Sequence, residues 1–102
     1  MGAVNVPLDV PLEKDIEKKA CEWAKSRGWL TYKFTSPNRR SVPDRIFVKH
    51  GHVVFIELKR PGGRLTSGQE REIEKLVDHG AEVHVAYSVE EVQHCLNNGA
   101  NP

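Results

Sequence analysis

The amino-acid sequence predicts an α/β domain of order αβββαβα, a mixed four-stranded sheet flanked by helices, and three observations carry that reading. Apolar residues recur at helical spacing near the start, in the 66–80 region and near the end, with period-2 runs between them. His50-Gly51-His52 separates two of those runs closely enough to fold them into a hairpin. The 66–80 stripe stands between the third and fourth runs and is long enough to be the crossover of a parallel pair.

At 102 residues there is one core to build. Hydrophobic residues make up 38% and charged residues 28%, with a mean hydropathy of −0.53, a balance that argues against both membrane spanning and wholesale disorder. Met1 to Val6 shows no basic stretch leading into an apolar run, and Val6 stands where a myristoylation signal requires Ser or Thr, so no export signal or lipid anchor is expected. Cys21 and Cys95 lie far apart without a CxxC partner, which points to a reducing cytoplasm and to packing roles instead of a disulfide frame or structural zinc.

Residues 1–11, with Pro7 and Pro11 and no helical period, are expected to form an extended arm. The first helix starts near Leu12, places Leu12, Ile16, Ala20, Trp23 and Ala24 on one stripe, and stops at Gly28. Trp29 to Phe34 alternates as a strand, and Thr35 to Val42 is a polar loop. Two further strands follow at about 45–49 and 53–59, the latter broken by Pro61-Gly62-Gly63. Thr66-Ser67-Gly68-Gln69 has capping-box spacing and opens a helix with Gln69, Ile73, Leu76, Val77 and Gly80 on its inward stripe. Glu82 to Tyr87 is the fourth strand. Ser88-Val89-Glu90-Glu91 opens a last helix with Val89, Val92 and Leu96 inward, and residues 97–102 are expected to fray, leaving 12–96 as the folded domain.

The net charge of +1 conceals an asymmetry. Between Lys25 and Arg64 ten basic residues stand against Asp44 and Glu57 alone, while the rest of the chain is acidic. A positive middle holding two isolated carboxylates suits a polyanion with an acidic point inside its footprint; two solvated acidic helices would produce the same arithmetic. Lys33, Arg39 and Arg40, and Arg60 and Arg64 beside the flexible Gly62-Gly63, are the candidate phosphate contacts, set against ordinary solvated loop charge.

In the third strand Val53, Phe55, Glu57 and Lys59 share one face and Val54, Ile56 and Leu58 the other, so the strand is expected to be central and covered on both sides. Glu57 then lies near the core boundary, where an unpaired carboxylate is costly. A hairpin turn centred between His50 and Gly51 puts Asp44 opposite Glu57; a turn centred on Gly51 puts it opposite Leu58 with its side chain on the other face. Two facing carboxylates need a cation, either Lys59 on the same face or a hard divalent ion, which typically takes one or two carboxylates and completes its shell with water and substrate phosphate. Glu13 is a first-turn helix residue that faces this point only if the Glu13/Glu17 edge packs on the sheet, and Gln69 is either a capping residue or a contact to the site.

Leu12-Glu13-Lys14-Asp15-Ile16, Ser41-Val42-Pro43-Asp44, Ile56-Glu57-Leu58-Lys59 and Leu65-Thr66-Ser67-Gly68-Gln69, followed by Gly80 and the final strand, resemble the PD-(D/E)XK nuclease superfamily and, within it, the small VRR-NUC (virus-type replication-repair nuclease) domains. The resemblance covers nearly all of the chain beyond the first arm and departs from many members at Ser41, where they have Gly. It implies a restriction-endonuclease-like core and Mg²⁺-dependent hydrolysis of DNA phosphodiesters, with Mn²⁺ substituting. Asp44, Glu57 and the backbone carbonyl of Leu58 are the implied metal ligands, Lys59 stands beside the attacking water, and Glu13 and Gln69 complete the catalytic set. It further suggests a bacterial or phage-infected cell, branched DNA such as a Holliday junction as substrate, and a homodimer, since one small copy offers a single site. A catalytically silent DNA-binding module of the same fold is the alternative.

Overall fold

The computed structural model describes residues 10–99, so most of the expected N-terminal arm and the last three residues of the expected tail lie outside the described residues. The elements follow the expected order: α1 (Glu13–Ser26), β1 (Leu30–Lys33), β2 (Arg45–Lys49), β3 (His52–Leu58), α2 (Ser67–Asp78), β4 (Glu82–Ala86) and α3 (Val89–Gly99). The sheet order is β1-β2-β3-β4, antiparallel through the first three strands and parallel between β3 and β4. Among the described residues no helix is long and apolar enough to cross a membrane.

Register is set at the β2–β3 turn. Lys49 pairs with His52, and the two residues between them, His50 and Gly51, have φ of 50° and 80°. Positive φ at both central positions is the geometry of a type I′ turn, whose twist matches that of the strands it joins. Gly adopts it without a Cβ penalty. From that turn the ladder runs to Arg45 opposite Ile56, and one step further brings Asp44 opposite Glu57.

The core fills one side of the sheet. Ile16, Ala20 and Ala24 of α1 meet Phe47 of β2, Val54, Ile56 and Leu58 of β3, and Val92 and Leu96 of α3, all essentially without solvent exposure. These inward helix residues, with Val89 partly buried against them, are those expected from the spacing, whereas Leu12, expected on the same stripe, stays 44% exposed ahead of α1. α1 is further anchored by Glu17, which accepts a 2.7 Å hydrogen bond from Arg45 of β2 and stands 3.5 Å from Lys33 of β1. Its Glu13/Glu17 edge therefore does pack toward the sheet.

The opposite side departs from the expectation that β3 is covered on both faces. Leu30 and Tyr32 of β1 and Val53 of β3 remain 49%, 61% and 43% exposed. α2 is the reason: it packs on β4 and buries none of its own residues, so its stripe is only half covered and Val77 is 50% exposed. An apolar pattern on both faces of a strand reports potential for burial, and here the short crossover helix reaches only the edge of the sheet. The Phe34–Phe55 ring pair, with centroids 5.4 Å apart, closes part of that face near its end.

Both capping signatures act. Thr66 Oγ1 accepts from the Gln69 amide and Gln69 Oε1 accepts from the Thr66 amide, a complete box. At α3 the Ser88 hydroxyl accepts from the Glu91 amide, but Glu91 Oε1 reaches past Ser88 to the Tyr87 amide. Replacing Gly51 by Ala forces a Cβ into the left-handed region and is expected to destabilise the fold by about 1–2 kcal/mol, lowering Tm by roughly 4–16 °C, without changing the carboxylates at the far end of the hairpin. Thermal unfolding of the Gly51→Ala variant checks this, and an unchanged Tm would remove the turn as the register-setting element.

Candidate active site

At the end of the hairpin opposite its turn, β2 begins and β3 ends side by side. Pro43, fully buried, delivers the chain into Asp44. Asp44 stands just outside β2, its carbonyl accepting the Phe34 amide at 2.9 Å and its carboxylate Oδ2 accepting the Leu58 amide at 2.8 Å. Those two bonds tie it to β1 and β3 at once.

Glu57 is 2% exposed. Its Oε2 receives the Gln69 side-chain amide at 2.9 Å and lies 3.7 Å from the Lys59 ammonium, itself only 14% exposed. Gln69 thus satisfies both of its readings: Oε1 closes the helix cap while Nε2 holds the carboxylate. Lys59 is placed by its backbone, whose N–H donates to the Ala86 carbonyl at 2.9 Å and so extends the parallel ladder one residue past β3. Leu58, between them, is fully buried on the helix-covered face.

The electrostatics are those of crowded, desolvated acids. Burial first, and then the neighbouring Asp44 and Glu13 charges, push the Glu57 carboxyl up to about 7 against the lowering effect of Lys59. Asp44 is raised for the same first reason, burial, opposed by the Leu58 hydrogen bond. Glu13, exposed at the start of α1, is raised by partial burial and by Asp44, which places it within electrostatic reach of the pair. Asp44, Glu57, Leu58, Lys59 and Gln69 are therefore brought to one place, with Glu13 within electrostatic reach of it.

The basic candidates are not brought to one place. Lys33 turns toward α1 and Glu17. Arg39 lies in the loop before β2 and bonds to Glu72 of α2 at 2.9 Å, with Arg40 beside it. Arg60 and Arg64 flank a turn closed by the Gly63 amide on the Arg60 carbonyl at 2.8 Å, immediately after Lys59. His52 Nε2 pairs at 2.5 Å with Glu82, whose other oxygen meets His84 at 2.6 Å, near the turn end of the hairpin. The reading from residues alone overlooked Arg71 and Lys75, which line the same cleft as Arg39 and Arg40. Their i, i+4 spacing is visible in the sequence, but the loop they face is a tertiary fact.

The donor set suits a hard cation. Among the described residues no three or more His, Cys, Asp and Glu side chains converge as a ligand cluster. Asp44 and Glu57 form a two-carboxylate set in which the polar contacts fall on Oδ2 and Oε2, so each acid keeps its second oxygen uncommitted among the described residues. One or two carboxylates are the usual protein share of a Mg²⁺ shell, which water and phosphate complete.

The raised Glu57 fixes a sign for stability. Its folded-state value near 7 lies above the ordinary 4.5, so the folded protein holds that proton more tightly than the unfolded chain. The contribution is fully present below about pH 4.5 and is lost as pH rises through 7, a change on the order of 3 kcal/mol for this buried group. Urea unfolding in EDTA at pH 5 and pH 8 should show wild type losing more stability across that interval than Glu57→Gln; parallel losses would mean the acid is not desolvated.

The VRR-NUC domain family model matches residues 13–90, which include every element from α1 to the start of α3. Over 74 residues the chain is 40% identical to a protein named Putative nuclease p44 of Acyrthosiphon pisum secondary endosymbiont phage 1, covering 72% of this chain and 80% of that one. A solved VRR-NUC domain superposes with a TM-score of 0.76 at 28% identity, covering 83% of this chain and 94% of the other. A second, described as a VRR-NUC domain protein, shares the fold with a TM-score of 0.78 at 18% identity over 89% of each chain. With its model spanning the carboxylate pair, Lys59 and the crossover helix, the chain belongs to the VRR-NUC nuclease family.

Proposed function

We propose that this protein is a divalent-metal-dependent DNA endonuclease selective for branched or otherwise structured DNA. The observation that carries the reading is Glu57, a carboxylate buried to 2% exposure beside Asp44 and oriented by Gln69, within a basic stretch of chain. Burying an acid against another acid is costly unless a cation enters.

Asp44, Glu57 and the Leu58 carbonyl are the groups that would hold Mg²⁺ or Mn²⁺, which supplies a Lewis acid that acidifies a water and neutralises charge developing on the phosphate. The chain's own groups prepare the rest. The Leu58 amide fixes Asp44, Gln69 fixes Glu57, and Lys59 sets a second positive charge, able to donate a proton, beside the position of the nucleophile. No covalent nucleophile is required. Glu13 adds negative potential from α1 that strengthens cation capture. Lys33, Arg39, Arg40, Arg60 and Arg64 are the proposed contacts to DNA phosphates, acting from different sides of the site. A homodimer is supported by the apolar sheet face carrying Leu30, Tyr32 and Val53, and would offer two sites to a junction. On this reading the enzyme would act in the cytoplasm of a bacterial or phage-infected cell, where nucleic acid is accessible.

Labelled four-way and linear DNA incubated with Mg²⁺, Mn²⁺ or EDTA tests the whole reading: cleavage of the four-way substrate with either metal and none in EDTA is expected. Salt-sensitive binding without cleavage under all three conditions would instead identify a silent DNA-binding module. Asp44→Asn relieves one repelling charge while preserving shape, so in EDTA it should melt at or above the wild-type temperature, lose the Mg²⁺-induced rise and lose cleavage. An Asn variant melting well below wild type in EDTA would make Asp44 structural. Lys59→Ala should keep the Mg²⁺-induced rise but cleave at least about tenfold more slowly in single turnover, and wild-type rates would remove Lys59 from the chemistry.

A further inference from the structure

A cleft of about 260 Å³ opens between the loop that precedes β2 and the first two turns of α2. Four cations line it, Arg39 and Arg40 from the loop and Arg71 and Lys75 from the helix. At its inner end the two walls touch closely: a Cβ placed on Gly68 would stand 2.7 Å from the Ser41 hydroxyl, so the loop lies directly on the helix there.

One acid interrupts this lining. The Glu72 side chain is 13% exposed, and its Oε2 receives Arg39 Nη1 at 2.9 Å with Lys75 Nζ 3.5 Å away. A single anionic oxygen is thus held from the loop and the helix at once. Arg40 and Arg71 form no ion pair among the described residues, leaving the cleft with more positive charge than Glu72 neutralises. A guanidinium and an ammonium held on one oxyanion, with two further guanidinium groups lining the same cleft, are the chemistry of phosphate recognition, and phosphate contacts carry no base information.

We propose that this cleft is a DNA phosphate subsite separate from the cleavage centre, with Arg71 and Lys75 as contacts on α2, and that Glu72 stands in the position that a phosphodiester oxygen takes when DNA is bound. The inference rests on the DNA-cleaving reading above and extends the proposed footprint onto α2. Its place matters because the same loop runs through Ser41 and Pro43 into Asp44, while the first turn of the same helix carries Gln69, which holds Glu57. A strand seated in the cleft is therefore held by the two segments that position both carboxylates.

The test is fluorescence anisotropy of labelled duplex and four-way DNA in EDTA, over a series of salt concentrations, with intact DNA verified on a gel. Arg71→Ala/Lys75→Ala alters two surface side chains of α2, and its thermal melt should match wild type. It is expected to bind every DNA more weakly and to lower the slope of log Kd against log salt by about two, one for each lost phosphate contact. Glu72→Gln removes the competing charge and is expected to bind DNA severalfold more tightly than wild type. Unchanged affinity and slope in the double variant, while wild type binds DNA, would overturn the cleft and leave the nuclease reading standing. Weaker binding by a folded Glu72→Gln would make Glu72 a clamp on the loop and overturn its stand-in role. A wild-type protein that binds neither DNA would overturn both readings together.

Discussion

Everything at the functional end of this molecule is arranged around keeping one carboxylate, that of Glu57, out of water and still ionisable. The position is imposed by β3, whose other face carries Val54, Ile56 and Leu58 into the core and so anchors the strand where it is. A buried acid without partners would be driven to its neutral form. Gln69 and Lys59 limit that cost from two directions, one through a hydrogen bond and one through charge, without removing it. What persists is a local electrostatic cost that these two groups leave uncompensated, and under the proposed function a divalent cation would offset it.

Much of this was legible in the chain. Helices α1 and α3 announced themselves through apolar spacing, and His50-Gly51-His52 located the hairpin that brings Asp44 near the end of β3. The choice between the two hairpin registers was not legible, because it depends on the φ angles of two residues, one of them a histidine with no strong preference for the left-handed region. Nor was the partner of Glu57: Gln69 is twelve residues away, and its amide could be assigned to the cap or to the site but not, from spacing, to both. The basic residues were readable as a composition and not as a surface, since Lys33 turns to α1 and Arg39 to α2.

The sheet divides its labour by face. α1 and α3 close one side with a dry core, and the Glu17–Arg45 and Glu17–Lys33 pairs stitch that closure at its edge. Asp44, Glu57 and Gln69 stand on the other side, together with the exposed apolar residues of β1 and β3. Period-2 patterning could not foresee this, because Val53 and Phe55 are as apolar as the residues behind them. The imbalance comes from α2, too lightly packed to act as a second lid.

Gln69 deserves its last word through the Thr66 amide. That N–H is bonded to Gln69 Oε1, and the same side chain donates to Glu57, so the opening of the first turn of α2 and the release of the carboxylate are a single event. Breathing of a helix end, ordinarily a local matter, here becomes loss of order around the buried carboxylate. Slow amide exchange at Thr66 would accordingly measure, in a protein with no substrate present, the fraction of time for which the site is assembled.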